Sequence, residues 1–289
     1  MKNKTKLITS LVFAASFMGA RLLGALVVPD DNVYYTSFET PDYALGNVVG
    51  QDGWTLSGTT ATTAAEIVVN GEVDYLGGDQ MLRLKNATWP SGTPRGTPIV
   101  NNEFTDTAMT DKLYFSGVTA FSGTITENET GIISRFYLNN ASNSFYGAAF
   151  GIHQDITNDN ELHFFYMNTS GSAVSFGTAQ AAADTFYRFE IDMDIAAKSY
   201  EIKVFDYESD SLIATSDSGV FRGDTAMSIN YLRVSNSSSI TTDNYETYYD
   251  EIVISSTPIP ESRSLPVYLG LASFLFVLNR RRPSRSFSA

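Results

Sequence analysis

The chain has 289 residues, of which 18% are charged and 13% aromatic, with Cys 0 and a formal net charge of −13. Tyr 16 and Phe 19, at ordinary Gly and Pro levels, exclude a collagen, a coiled coil and a disordered acidic tail. The absence of cysteine removes disulfide frameworks, thiolate metal sites and cysteine nucleophiles, and the negative charge has the wrong sign for a nucleic-acid partner.

Residues 1–28 read as a signal peptide. Lys2, Lys4 and Lys6 precede an apolar stretch from Leu7 to Ala20, and small residues at Ala20 and Ala25 put cleavage somewhere within 20–28. Arg21 splits the apolar run before it reaches the roughly 20 residues that a membrane span needs. Export is therefore expected.

Residues 29–257 read as one all-β domain. Between 32 and 260 there are 10 basic and 29 acidic residues, a net charge of −19, which favours solubility and repels polyanions. The hydrophobic period is two. Phe189, Ile191, Met193 and Ile195 alternate with Glu190, Asp192 and Asp194, and Tyr200, Ile202 and Val204 alternate with Glu201 and Lys203. Further strands are predicted at Val33–Phe38, Glu66–Val69, Gln80–Leu84, Lys112–Phe121, Ile132–Leu138, Phe145–His153, Leu162–Met167, Met227–Val234 and Tyr248–Ser255. Asn-, Gly- and Ser-rich turns separate them, and only Ala179–Asp184 has a helical composition. Many strands at close spacing without helices between them predict a sandwich or barrel of about 220 residues.

Few residues in this stretch carry chemistry. Glu190, Asp192 and Asp194 form the polar face of an amphipathic strand, so Glu190→Gln is expected to change stability by no more than about 0.5 kcal/mol. His153 and His163 fall opposite each other if the chain turns near Asn158, with Asp155 or Glu161 close enough in sequence to add a metal ligand. The loop from Gln154 to Glu161 is rich in hard oxygen ligands. Asp155 and Asp159 are its candidates for calcium, although it lacks the glycine and spacing of a helix-loop-helix calcium loop. No cofactor is otherwise expected. Trp89 lies in a Pro/Gly-rich stretch that cannot be a central strand and is the candidate ligand-binding aromatic, whereas Trp54 reads as core. No phosphate loop, nucleophile elbow or zinc-protease motif is present.

Residues 258–289 have an ordered composition of their own. Pro260-Glu261 precedes an apolar run from Leu265 to Leu278, which ends at Arg280-Arg281-Arg282. As a helix this run spans about 21 Å against a hydrocarbon core of about 30 Å, and snorkelling arginines extend its reach. The arginines place the chain end on the cytoplasmic side.

This tail, from Pro258 to Arg285, resembles the PEP-CTERM sorting signal recognised by exosortases in Gram-negative bacteria. Ser262 stands where that family has a second proline. The resemblance implies an exosortase-type partner, a membrane-tethered precursor and a destination at the cell surface or in the matrix, often alongside extracellular polysaccharide. The domain resembles a concanavalin A-like, laminin-G-like jelly roll at Ser37-Phe38-Glu39, Gly50-Gln51-Asp52-Gly53-Trp54, Thr185–Asp192 and Tyr249–Ile254. In that fold the first and last strands pair. Retaining β-glucanases of the laminarinase type share the fold and carry alternating acids on one strand, which makes glycoside hydrolysis by Glu190 and Asp194 the alternative function. A retaining pair needs carboxyls about 5–5.5 Å apart, whereas i and i+4 on a strand lie about 13 Å apart. The expectation is an exported, non-catalytic binding or structural module, with glycans as its ligand class.

Overall fold

The computed structural model describes residues 28–29, 32–56, 65–69, 80–85, 99–104, 109–123, 125, 131–140, 146–155, 161–216, 219–221, 228–236 and 245–260. Residues 1–27 of the expected signal peptide (1–28), Trp89, Asp159, Glu261 and Arg280–Arg282 lie outside the described residues, as does the side chain of Asp155.

In chain order the strands are β1 (Asn32–Thr36), β2 (Gly46–Asn47), β3 (Thr55–Leu56), β4 (Ala65–Val69), β5 (Gln80–Lys85) and β6 (Ile99–Glu103). There follow β7 (Lys112–Gly123), β8 (Gly131–Asn139), β9 (Tyr146–Asp155), β10 (Glu161–Met167), β11 (Ala173–Gln180) and β12 (Tyr187–Asp194). The series closes with β13 (Ser199–Asp206), β14 (Ser211–Thr215), β15 (Gly219–Val220), β16 (Tyr231–Ser235) and β17 (Tyr245–Ser255). No helix occurs among the described residues. The helix expected at Ala179–Asp184 is corrected: its start belongs to β11, and Asp184 takes φ 57 in the turn that follows. Six residues are too few to nucleate a helix against two competing strands.

All pairings are antiparallel. A ten-stranded sheet runs β14-β13-β12-β7-β17-β5-β4-β2, with β1 also on β17 and β15 on β13. A seven-stranded sheet runs β11-β10-β9-β8-β16-β6-β3. Period-two patterning decides which face of each strand is buried. On β12, Phe189, Ile191 and Met193 enter the core while Glu190, Asp192 and Asp194 face away, and β13 pairs antiparallel with it, Glu190 opposite Lys203. Phe115, Phe136, Phe150 and Phe189 interlock between the sheets with ring centroids 5.1 to 6.1 Å apart, a range in which aromatic pairs add to simple burial. Trp54 is fully buried, as its position after Gly53 predicts. Its Nε1 donates to Tyr43 Oη at 3.0 Å, and that hydroxyl donates to Asp52 at 2.8 Å. The first and last strands pair as expected, Tyr35 opposite Val253.

Candidate functional site

The three acids of β12 lie on the outer face of the ten-stranded sheet, and each is engaged or solvated. Glu190 Oε1 accepts from Arg188 Nε at 3.0 Å, and Arg188 Nη2 donates to Asp210 Oδ1 at 2.6 Å while its guanidinium lies 4.6 Å from the centre of the Phe205 ring. Asp192 is exposed. Asp194 Oδ1 accepts from the backbone N–H of Ala197 at 2.7 Å, closing the turn into β13. Among the described residues of this face, Glu190 and Asp210 share the Arg188 guanidinium between them.

The outer face of the seven-stranded sheet is built differently. Strand register sets Asn101, Arg233, Tyr137 and Ala149 in one cross-strand row, and Ser235, Arg135, Gly151, Phe165 and Ser175 in the next. Arg233 Nε donates to Asn101 Oδ1 at 2.7 Å, and Arg135 Nε donates to Ser235 Oγ at 3.1 Å. Both guanidinium groups approach Tyr137, at 4.2 Å for Arg135 and 5.8 Å for Arg233. Ala149 and Gly151 on β9 leave a low strip between Arg135 and Tyr137 on one side and Phe165 on the other. Gly151 is required there: its φ is 154, and a Cβ would collide with the carbonyl oxygen of Ser134. At the end of the Tyr137 strand, Asn139 is fully buried, and neither side-chain amide atom has a hydrogen-bond partner among the described residues. This polar row is itself buried, with Asn101, Tyr137 and Arg233 at most 7% exposed and only Arg135 half-buried, and the unpartnered Asn139 amide stands out because buried polar groups are normally satisfied within the fold.

The histidine pair sits on this face as the sequence suggests. His163 lies opposite His153, and Glu161 opposite Asp155. His153 Nε2 lies 2.8 Å from Ser175 Oγ with its ring 5.1 Å from Phe165, and His163 Nε2 lies 3.3 Å from Glu161 Oε2. Among the described residues no three His, Cys, Asp or Glu side chains converge as a metal centre would require.

A third feature was not anticipated from sequence. Along one side, β17 pairs with β5 through Glu246–Tyr249 and with β1 through Ile252–Ser255, so the sheet forks at Asp250 and Glu251. The ladder to β7 skips at the same point, and Glu251 adopts φ 46. Asp250 is 1% exposed, and its Oδ1 accepts from the Glu251 N–H at 2.8 Å. Glu251 Oε1 accepts from Tyr207 Oη at 3.0 Å, while Oε2 is buried with no hydrogen-bond partner among the described residues. Burial, and then the negative charges of Glu251 and Glu39, hold Asp250 well above the usual carboxylate range. Burial also pushes Glu251 up to about 7, against the lowering influence of Tyr207 and Arg188. Two consecutive acids in the middle of the closing strand, between Tyr248-Tyr249 and Ile252-Val253-Ile254, were the signal that could have revealed them.

No protein-family model and no curated protein matches the chain. Among solved structures, a carbohydrate esterase from a Shiga toxin-encoding bacteriophage, phi24B, aligns at TM-score 0.50 and 16% identity, over 78% of this chain and 99% of that one. The catalytic domain of a glycoside hydrolase family 131 protein from Coprinopsis cinerea aligns at TM-score 0.46 and 16% identity, over 82% and 97%. A sialidase aligns at TM-score 0.48 and 12% identity, over 91% of this chain but 22% of its own. The phage esterase and this chain share the antiparallel jelly-roll β-sandwich.

Proposed function

We propose that the chain is an exported bacterial surface or matrix protein whose β-sandwich binds glycans without cleaving them. The observation that carries this reading is the outer face of the seven-stranded sheet. Arg135 and Arg233 pack against Tyr137, Arg233 is bonded to Asn101, and Asn139 with its unpartnered amide follows two residues on along the same strand. Amide and guanidinium donors beside an aromatic ring suit sugar hydroxyls and ring faces. The phage protein of the same fold is a carbohydrate esterase, which accords with a carbohydrate ligand. The non-catalytic part rests on Glu190, Asp192 and Asp194, which are spent on an ion pair, on solvent and on a turn. Sorting through the PEP-CTERM-like tail by an exosortase-type enzyme completes the proposal. A glycan array probed with the intact chain tests the binding reading. Binding that falls at least about tenfold in Tyr137→Ala, with the melting transition retained, supports it. Glycan binding unaltered in that variant, or β-glucan hydrolysis lost in Glu190→Gln, overturns it.

A further inference from the structure

The fork in the ten-stranded sheet joins an unusual charge arrangement to an unusual connectivity. Among the described residues β1 is hydrogen-bonded in the sheet to β17 alone, with Tyr34 packed on Phe104 at 6.2 Å, whereas β5 is paired on both sides, with β17 and with β4. The four paired residues of β1 end at Thr36, and Glu39 lies just beyond, within electrostatic reach of Asp250. Glu39 Oε1 is tied to the start of β5 through the Gln80 N–H at 2.9 Å. Tyr35 of β1 feels Glu251, Asp250 and Glu39 together. From the neighbouring strands, Tyr207 bonds Glu251 and Arg188 supplies a positive charge, but the Arg188 guanidinium is already shared with Glu190 and Asp210. The groups facing the fork are therefore Glu39 and Tyr35 from the β1 side, Arg188 with Glu190 from β12, and Tyr207 and Asp210 from the segment between β13 and β14.

Two adjacent carboxylates in a dry site cannot both ionise without a large cost, and they titrate as a pair. The least costly relief is to admit water, and the element that opens with least loss is the one held by a single neighbour. We propose that the fork is a pH-operated latch on the N-terminal strand: β1 stays on β17 while Asp250 and Glu251 together carry at most one negative charge, and it loosens when the second charge forms. The raised proton affinity of both groups places that second ionisation near or above neutrality rather than in the acid range. The connectivity confines the response. β5 and β7 keep their other partners, β4 and β12, when β1 lifts.

Hydrogen exchange on the intact chain tests the latch, with rates corrected for intrinsic pH dependence, from about pH 5.5 to about pH 8.5. Protection of Tyr34–Thr36 should fall about tenfold or more across that range while the amides of β5 and β7 keep theirs. Glu251→Gln keeps an acceptor for Tyr207 and removes one charge. It should leave β1 protected at the alkaline end, and Asp250→Asn should do the same by an independent route. Flat protection in the wild type, or the same loss of β1 protection in both variants, overturns the proposal. So does loss shared equally by β5 and β7. A fourth overturning result is protection restored at the alkaline end by calcium chloride alone, which would make a cation rather than a proton the resident of the fork.

Discussion

Glu190 shows how one contact changes the expected cost of a substitution. By pattern it is a solvated strand carboxylate. In the fold it is one of two partners of Arg188, whose side chain is 3% exposed and whose Nη1 already lacks a hydrogen-bond partner. Removing the charge takes one of its two ion-pair carboxylates from a buried guanidinium, so Glu190→Gln should cost about 1–2 kcal/mol in urea unfolding, not the near-zero cost of an exposed site. Glu251 argues in the opposite direction along the pH axis. Its pKa in the fold is about 7, above the value of about 4.3 in an unfolded chain, so the fold binds the proton more tightly. That contribution is complete below the unfolded pKa and is lost as pH rises through 7, on the order of 3 kcal/mol in all. The gap in unfolding free energy between wild type and Glu251→Gln should therefore shift towards the wild type on acidification and towards the variant on going alkaline. Melts of both at matched pH values check it.

At the scale of strands, what could be read from sequence was local. β12 and β13 were legible because Phe189, Ile191, Met193, Tyr200, Ile202 and Val204 each announce a buried face by alternation within one short window. The opposition of His153 and His163 was legible because one hairpin contains both. β11 was not legible: Gly177 at φ 72 interrupts its alternation, and small residues dilute it. β6 was hidden because only Val100 of its five residues enters the core cluster. The polar face was invisible for another reason. Asn101, Arg135, Tyr137, Gly151, Phe165 and Arg233 come from five separate strands, and only register assembles them. Gly151 is the point where that assembly is most constrained. Gly151→Ala should cost more than about 2 kcal/mol and lower the melting temperature, since neither its backbone angle nor the Ser134 carbonyl leaves room for a methyl group.

At the scale of the whole molecule, the sandwich and the tail make separable claims. If the tail is a sorting signal, replacing Arg280, Arg281 and Arg282 with Ser should abolish retention of the precursor in the inner membrane and leave the thermal transition of the sandwich unchanged. Fractionation followed by mass spectrometry of the surface-associated protein checks both. Peptides extending through Arg285 on the mature surface form would show a permanent anchor and refute exosortase processing. The pairing of the outermost strands has a further, mechanical consequence. Asn32 lies opposite Ser255, so the two ends of the sandwich leave it side by side. A pull delivered at Ile259 runs along the axis of β17, whose ladders to β7, β5 and β1 all lie across the line of force. Those hydrogen bonds are loaded in shear and must yield together, whereas a pull on Asn32 away from the sheet peels β1 one residue at a time. A chain tethered through its C-terminal end would thus meet drag with β17 loaded in shear along its whole length.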